Sequence, residues 1–242
     1  MDRRMEESLA ARWQAVAERI AVAARRSGRD PAEVKVVAVT KTVPVETIRL
    51  AVAMGLCDLG ENRVQEALAK QAVLGREGLR WHLIGTLQTN KARRAAESFD
   101  LIHSLDRWEL AEALARAAEK TERRVPVLIQ VNVSGETTKH GLAPEELLPF
   151  LGRLAGLGGA LLPTGLMTMA PLVADPEATR PIFRRLRQLF QAAREEFDLG
   201  GEWRWLSMGM SQDFEVAIEE GANLVRIGTA IFGERREPGG NH

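Results

Sequence analysis

The sequence predicts a single α/β domain over residues 1–242, a (β/α)8 TIM-type barrel with an extra N-terminal helix. Three observations lead there. Strand-like apolar runs alternate with helical patterns without a break from residue 34 onward, the runs number eight, and the 242-residue length suits a fold of about 250. Strict alternation implies parallel strands with helical crossovers, because a tight turn joins only antiparallel neighbours. A doubly wound sheet would need about six strands and, for a dinucleotide, a GxGxxG turn after the first. Here the first strand runs into TKTVP, and the glycines at 156, 158 and 159 precede a strand instead of following one.

Taking the elements in order, Met5, Leu9, Trp13, Val16, Ile20 and Ala23 recur at spacings of three and four. Residues 4–27 therefore form a helix with one apolar stripe, stopped by Gly28 and Pro31 and packed outside the barrel. Strands are expected at 34–41, around 57–60, 80–85, 100–105, 125–133, 161–168, 204–209 and 223–228. Helices are expected at 45–54, 62–73, 89–97, 107–120, 144–154, 177–197 and 212–220. The clearest is 177–197, with Ile182, Leu186, Leu189 and Phe190 on one face. The stretch ERREPGGNH, residues 234–242, reads as a frayed tail.

Composition narrows the function. Basic and acidic residues balance at 33 each, so no nucleic-acid footprint is expected. The single cysteine, Cys57, excludes an internal disulfide and any CxxC motif, and it suits a reducing compartment. MDRRMEESLAARW lacks the apolar core of a signal peptide, and no run approaches a membrane span. A cytoplasmic, soluble, monomeric protein is expected, with no membrane partner.

Active sites of such barrels use the loops at the C-terminal ends of the strands. Lys41 ends the first, after Val34, Val36, Val37, Ala38 and Val39. A lysine drawn out of water there would lose the hydration that stabilises its charge and become a nucleophilic amine. A strand-end lysine reaching into solvent is the alternative. GENRVQE after the second strand offers Glu61, Asn62 and Arg63; NVSGETTKHG after the fifth offers Asn132, Lys139 and His140; the sixth ends in GLMTM, with Met167 and Thr168. Asn62, Asn132 and Thr168 also suit ordinary caps.

The last two loops are richest in Gly, Ser and Thr. Strand seven runs into SMGMSQDFE, carrying Ser207, Gly209 and Ser211, and strand eight into RIGTAIFG, carrying Gly228 and Thr229. Glycines let backbone amides approach an anion, and this is the usual phosphate position in the fold, although Gly209 and Gly228 also suit simple tight turns. A reactive lysine facing a phosphate cradle describes a site for a phosphorylated aldehyde, of which pyridoxal 5′-phosphate (PLP) is the common one. Arg226, two residues before Gly228, shares the inward face, and a guanidinium beside the pyridine nitrogen would keep that nitrogen unprotonated.

The segments AVTKT, GENRVQEA, WHLIGTLQTNK, QVNVSGETTKHGL, GLMTM and LSMGMSQDFEVAIEEGANLVRIGTAIFG resemble the family of pyridoxal-phosphate homeostasis proteins, itself similar to the N-terminal barrel of alanine racemase. The resemblance spans nearly the whole chain in order. It implies a PLP-binding protein of intracellular vitamin B6 homeostasis with no assigned catalytic activity, holding the cofactor as a Schiff base and releasing it, with apo PLP enzymes as candidate recipients. By the family pattern Lys41 is the Schiff-base lysine, Ser211, Gly228 and Thr229 hold the phosphate, Arg226 faces the pyridine nitrogen and Asn62 borders the ring. Met167, Ser207 and Gly209 complete the expected cofactor-binding set.

A weak PLP-dependent racemase or transaminase is the alternative, and a phosphosugar enzyme a distant third. Racemisation needs two acid/base groups, and the racemase resemblance would supply a lysine and a tyrosine. The chain has no tyrosine, Cys57 is expected on the face away from the cofactor, and no second, all-β domain is seen. The sequence therefore favours a carrier over an enzyme.

Overall fold

The computed structural model describes residues 3–234, so the frayed tail expected at 234–242 lies, beyond Glu234, outside the described residues. The strands are β1 (Lys35–Val39), β2 (Asp58–Glu61), β3 (Arg80–Leu83), β4 (Leu101–Leu105), β5 (Val125–Gln130), β6 (Leu161–Met167), β7 (Trp205–Ser207) and β8 (Leu224–Ile227). They pair in chain order into a closed parallel barrel. The helices are α1 (Arg3–Arg26), α2 (Val45–Ala53), α3 (Val64–Leu74), α4 (Ala92–Ser98), α5 (Trp108–Lys120), α6 (Leu147–Leu154), α7 (Arg180–Glu196), α8 (Phe214–Glu219) and the short α9 (Thr229–Phe232). The expected (β/α)8 architecture is present; of the α-helices among the described residues, the four-residue α9 was not anticipated.

Strands covered by helices on one side and closed on themselves on the other bury both faces, which is why their sequences read as continuous apolar runs. The main core lies between strands and helices and includes Trp81, Leu83, Ile102, Phe183 and Phe214. A smaller cluster of Val37, Leu101, Leu128, Met167 and Leu224 is buried apart from it. The extra helix sits where expected. Leu9, Val16, Ile20, Ala23 and Ala24 of α1 are buried, while Met5, expected on that stripe, is 46% exposed. Arg12 of α1 donates to the Ile231 carbonyl at 2.7 Å and Arg19 forks onto Glu215 at 3.0 and 2.7 Å, tying α1 to α9 and α8.

Two local features matter at the mouth. Pairing of β5 with β6 steps from Val127↔Pro163 to Leu128↔Gly165, so Thr164 is an extra, bulged residue. Gly165 follows with φ +151, where a Cβ would collide with the Trp205 backbone. The other feature is a correction: β1 ends at Val39, and Lys41 is exposed in the turn beyond it. The strand does not carry this lysine out of water, because Thr42 takes a left-handed φ of 60° and turns the chain before Pro44.

Candidate functional site

A cavity of about 440 Å³ opens at the C-terminal ends of the strands. That lies within the roughly 300–1,000 Å³ range of small-molecule sites. Lys41, Ser211, Arg226, Gly228 and Thr229 all line it. They come from loops that barrel closure makes neighbours, since β8 pairs with β1 on one side and β7 on the other.

Lys41 is held by its backbone. The buried ammonium of Lys70 on α3 donates to the Thr40 carbonyl at 2.6 Å, to Glu61 Oε1 at 2.7 Å and to Glu66 Oε1 at 2.7 Å. Glu66 Oε1 also accepts the Thr42 amide at 2.6 Å, and Glu61 Oε1 accepts the Thr40 hydroxyl at 2.5 Å. One ion cluster thus clamps the residues on both sides of Lys41 and stabilises the left-handed turn that presents it. Burial pushes the Glu61 carboxyl up against the opposing pull of Lys70. Burial also acts to raise Glu66, but its bonds to Lys70 and the Thr42 amide outweigh that and hold it below its ordinary value.

Arg226, 4% exposed, forms another part of the cavity wall. It donates to Ser207 Oγ at 2.6 Å and to the Thr168 carbonyl at 2.9 Å, both neutral acceptors. Burial pulls the guanidinium down to about 10, opposed by the charge of Asp213, so it remains a cation at neutral pH. Asp213 also lines the cavity; burial raises its carboxyl, and its Oδ1 accepts the Met210 amide at 2.6 Å.

Ser211 ties together the turn after β8: its Oγ accepts the amides of Gly228 at 3.3 Å and Ala230 at 3.2 Å. The Ser211 and Thr229 hydroxyls and these two amides, once an anion takes the place of Ser211 Oγ as their acceptor, make a donor set at one corner that fits a phosphate dianion. A primary amine, a guanidinium and such a corner around one cavity fit a phosphorylated pyridine aldehyde.

The other expected residues play different parts. Ser207 is wholly buried beneath Arg226. Gly209, at φ +91, lets the turn pack against α8, where a Cβ would come within 2.9 Å of Phe214 Cα, and its carbonyl accepts the Arg226 amide at 3.0 Å. Met167 is buried in the smaller apolar cluster, and the Asn62 backbone packs against Gly85; neither lines the cavity. Asn132 organises its own loop, donating to the Glu136 and Lys139 carbonyls at 2.9 and 3.3 Å, and Lys139 pairs with Glu136 at 2.6 Å.

Sequence reasoning missed the wall formed by Pro171, Leu172 and Val173 after β6, and the Lys70 clamp. Leu172 is 82% exposed, and the apolar run APLV continuing past a strand was the available signal for it. Among the described residues no group of His, Cys, Asp and Glu is placed to hold a metal ion, and no helix is long and apolar enough to cross a membrane.

Residues 12–236 match the family described as alanine racemase, N-terminal domain, and the chain belongs to that class of barrel. Within the class it belongs to the pyridoxal phosphate homeostasis proteins. It is 47% identical over 225 residues to the protein of that name from Aquifex aeolicus (strain VF5), covering 93% of this chain and 97% of that one. Among solved structures, PipY of Synechococcus elongatus PCC7942 without PLP matches with a TM-score of 0.80 and 42% identity over 90% of this chain and 99% of that one. The same protein with PLP bound matches with a TM-score of 0.77 and 40% identity, over 90% and 100%.

The clamp makes a stability prediction. Lys70→Met removes the cation from the buried Glu61 carboxylate, which typically costs about 3–5 kcal/mol, whereas the partly exposed Glu66→Gln should cost about 1 kcal/mol. Urea unfolding measures both. Equal small losses would mean that Lys70 does not compensate Glu61.

Proposed function

We propose that this protein binds PLP in the cavity around Lys41 and serves as a monomeric, cytoplasmic, non-catalytic carrier in vitamin B6 homeostasis. The observation that carries this reading is the convergence of Lys41, Arg226 and the Ser211–Gly228–Thr229 corner on one cavity. The name shared by the relatives and the PLP bound to PipY support it. When bound, PLP supplies an aldehyde and an electron-withdrawing pyridine ring. Lys41 would hold the aldehyde as a Schiff base, Ser211, Gly228 and Thr229 would hold the phosphate, and Arg226 would present N–H donors to the ring nitrogen and keep it unprotonated.

That arrangement binds better than it catalyses. A ring nitrogen facing a fixed cation is a weak electron sink, and racemisation would need an acid/base group besides Lys41. The remaining carboxylate on the wall, Asp213, is engaged by the Met210 amide and lies in the field of Arg226. Lys41 stands exposed in its turn, so release needs no domain to open.

Thr229→Val should weaken PLP about ten- to a hundredfold, the loss of one hydrogen bond to a charged group at about 1.5–3 kcal/mol, while binding of unphosphorylated pyridoxal barely changes. Fluorescence titration with both ligands measures this. Equal weakening of the two would place Thr229 away from the phosphate.

The carrier reading is tested by mixing PLP-loaded protein with an apo PLP enzyme and following recovered activity, beside a chiral assay on alanine and other amino acids. Transfer should far outpace conversion of any amino acid. Racemisation on the order of 1 per second or faster would overturn the carrier reading in favour of an enzyme.

A further inference from the structure

A single-file chain of hydrogen bonds crosses the barrel lumen below the cavity. Arg226 on β8 donates to Ser207 Oγ on β7 at 2.6 Å, and Ser207 Oγ meets His103 Nδ1 on β4 at 3.0 Å. His103 Nε2 lies 3.0 Å from His82 Nδ1 on β3, and His82 Nε2 lies 3.0 Å from Asp58 Oδ1 on β2. Arg80 forks onto Asp58 at 2.6 and 2.5 Å. Asp58, Arg80 and His82 line a second, smaller cavity of about 190 Å³ with Lys35, Arg204 and Trp205, so the chain runs from the barrel floor to Arg226.

With both rings neutral, the ends fix the direction of every bond. A guanidinium only donates and a carboxylate only accepts. Ser207 must therefore accept from Arg226 and give its own hydrogen to His103 Nδ1; His103 must carry its proton on Nε2 and donate to His82; His82 must donate from Nε2 to Asp58. No other assignment satisfies all four contacts while both rings are neutral. Burial, reinforced by the charge of Arg226, pushes His103 well below the usual histidine range and keeps its ring neutral. At the floor, burial acts to raise the Asp58 carboxyl, but hydrogen bonds from His82 and Arg80 and the charge of Arg80 reverse this and hold it well below the usual carboxylate range. The terminal acceptor is thus an anion throughout the neutral range.

We propose that His103 and His82 are positioning residues for Arg226, acting through Ser207: their polarised relay, anchored on the Asp58–Arg80 pair, fixes the guanidinium that faces the pyridine nitrogen of bound PLP. The proposal rests on the reading of this cavity as a PLP site. The Ser207 hydroxyl, forced to donate toward His103, offers only a lone pair to Arg226. Two of the five guanidinium N–H groups are committed to Ser207 and Thr168, and the side chain is held at the cavity wall. A buried polar line needs such a return, because each unmatched member would be left buried and unpaired.

Two measurements test it. In ligand-free protein, ¹⁵N NMR of the four histidines should show His103 and His82 protonated on Nε2 at pH 7.5, with His103 not titrating between pH 8.5 and 5.5. A proton on His103 Nδ1, or titration near its ordinary value, overturns the relay whatever the protein binds. The second measurement compares PLP affinity and the absorbance band of the bound cofactor in wild type, His103→Leu and His103→Asn, whose amide oxygen can still accept from Ser207. Leu should lose affinity about tenfold and shift the band, and Asn should restore most of both. If wild type and His103→Leu bind PLP alike with the same band, the positioning role is wrong and the PLP reading survives. If wild type binds no PLP, that reading fails and takes the proposed role with it, while NMR still decides whether the relay exists.

Discussion

The pairing of β8 back onto β1 is the constraint on which the rest of the molecule depends. Its register sets Val37 beside Arg226 and Ala38 beside Ile227, so the loops that follow, carrying Lys41 and Gly228–Thr229, emerge side by side. An open sheet would leave β1 and β8 as opposite edges with unpaired backbone groups. Closure removes both edges and builds the cavity in the same step. Where β6 nears the Trp205 backbone, the Thr164 bulge and Gly165 allow the close approach.

Two buried cations, Lys70 and Arg226, answer different needs. Lys70 meets two carboxylates and a carbonyl, so its charge is fully compensated and its work is structural: it fixes the Thr40–Thr42 backbone. Arg226 meets a hydroxyl and a carbonyl, with Asp213 as the one carboxylate whose charge acts on it. Its charge is solvated by neutral dipoles and left partly unanswered at a cavity wall. A ligand presenting a lone pair or negative charge there would complete the site. Lys41 is the third cation, and it reaches the same cavity from an exposed turn.

Fold was legible because parallel strands buried on both faces leave continuous apolar runs, and runs such as KVVAV and LIHSL survive any uncertainty about their ends. Lys41 was legible by position but not by environment: the run through Thr40 looks like strand, and no residue before Pro44 announces the left-handed φ of Thr42. Arg226 was found by parity with Gly228. The same parity places His82 and His103 on the lumen side of their strands, but an isolated histidine in an apolar run carries no sign of the partner it meets across the barrel. Lys70 was invisible for a related reason. In the helix expected at 62–73 a lysine suggests the solvent face, and only the packing of α3 against the end of β2 turns it inward. Asn62 and Met167 show the converse, since position at a strand end did not suffice to reach the cavity.

The central claim is that barrel closure and the Lys70 clamp present Lys41 as the amine that holds PLP. Borohydride reduction of the PLP-loaded protein followed by peptide mapping tests it most directly. The account predicts a reduced adduct on the peptide containing Lys41, and none at that position or elsewhere in Lys41→Ala. An adduct found mainly on Lys91 or Lys139 in the wild-type protein would contradict it.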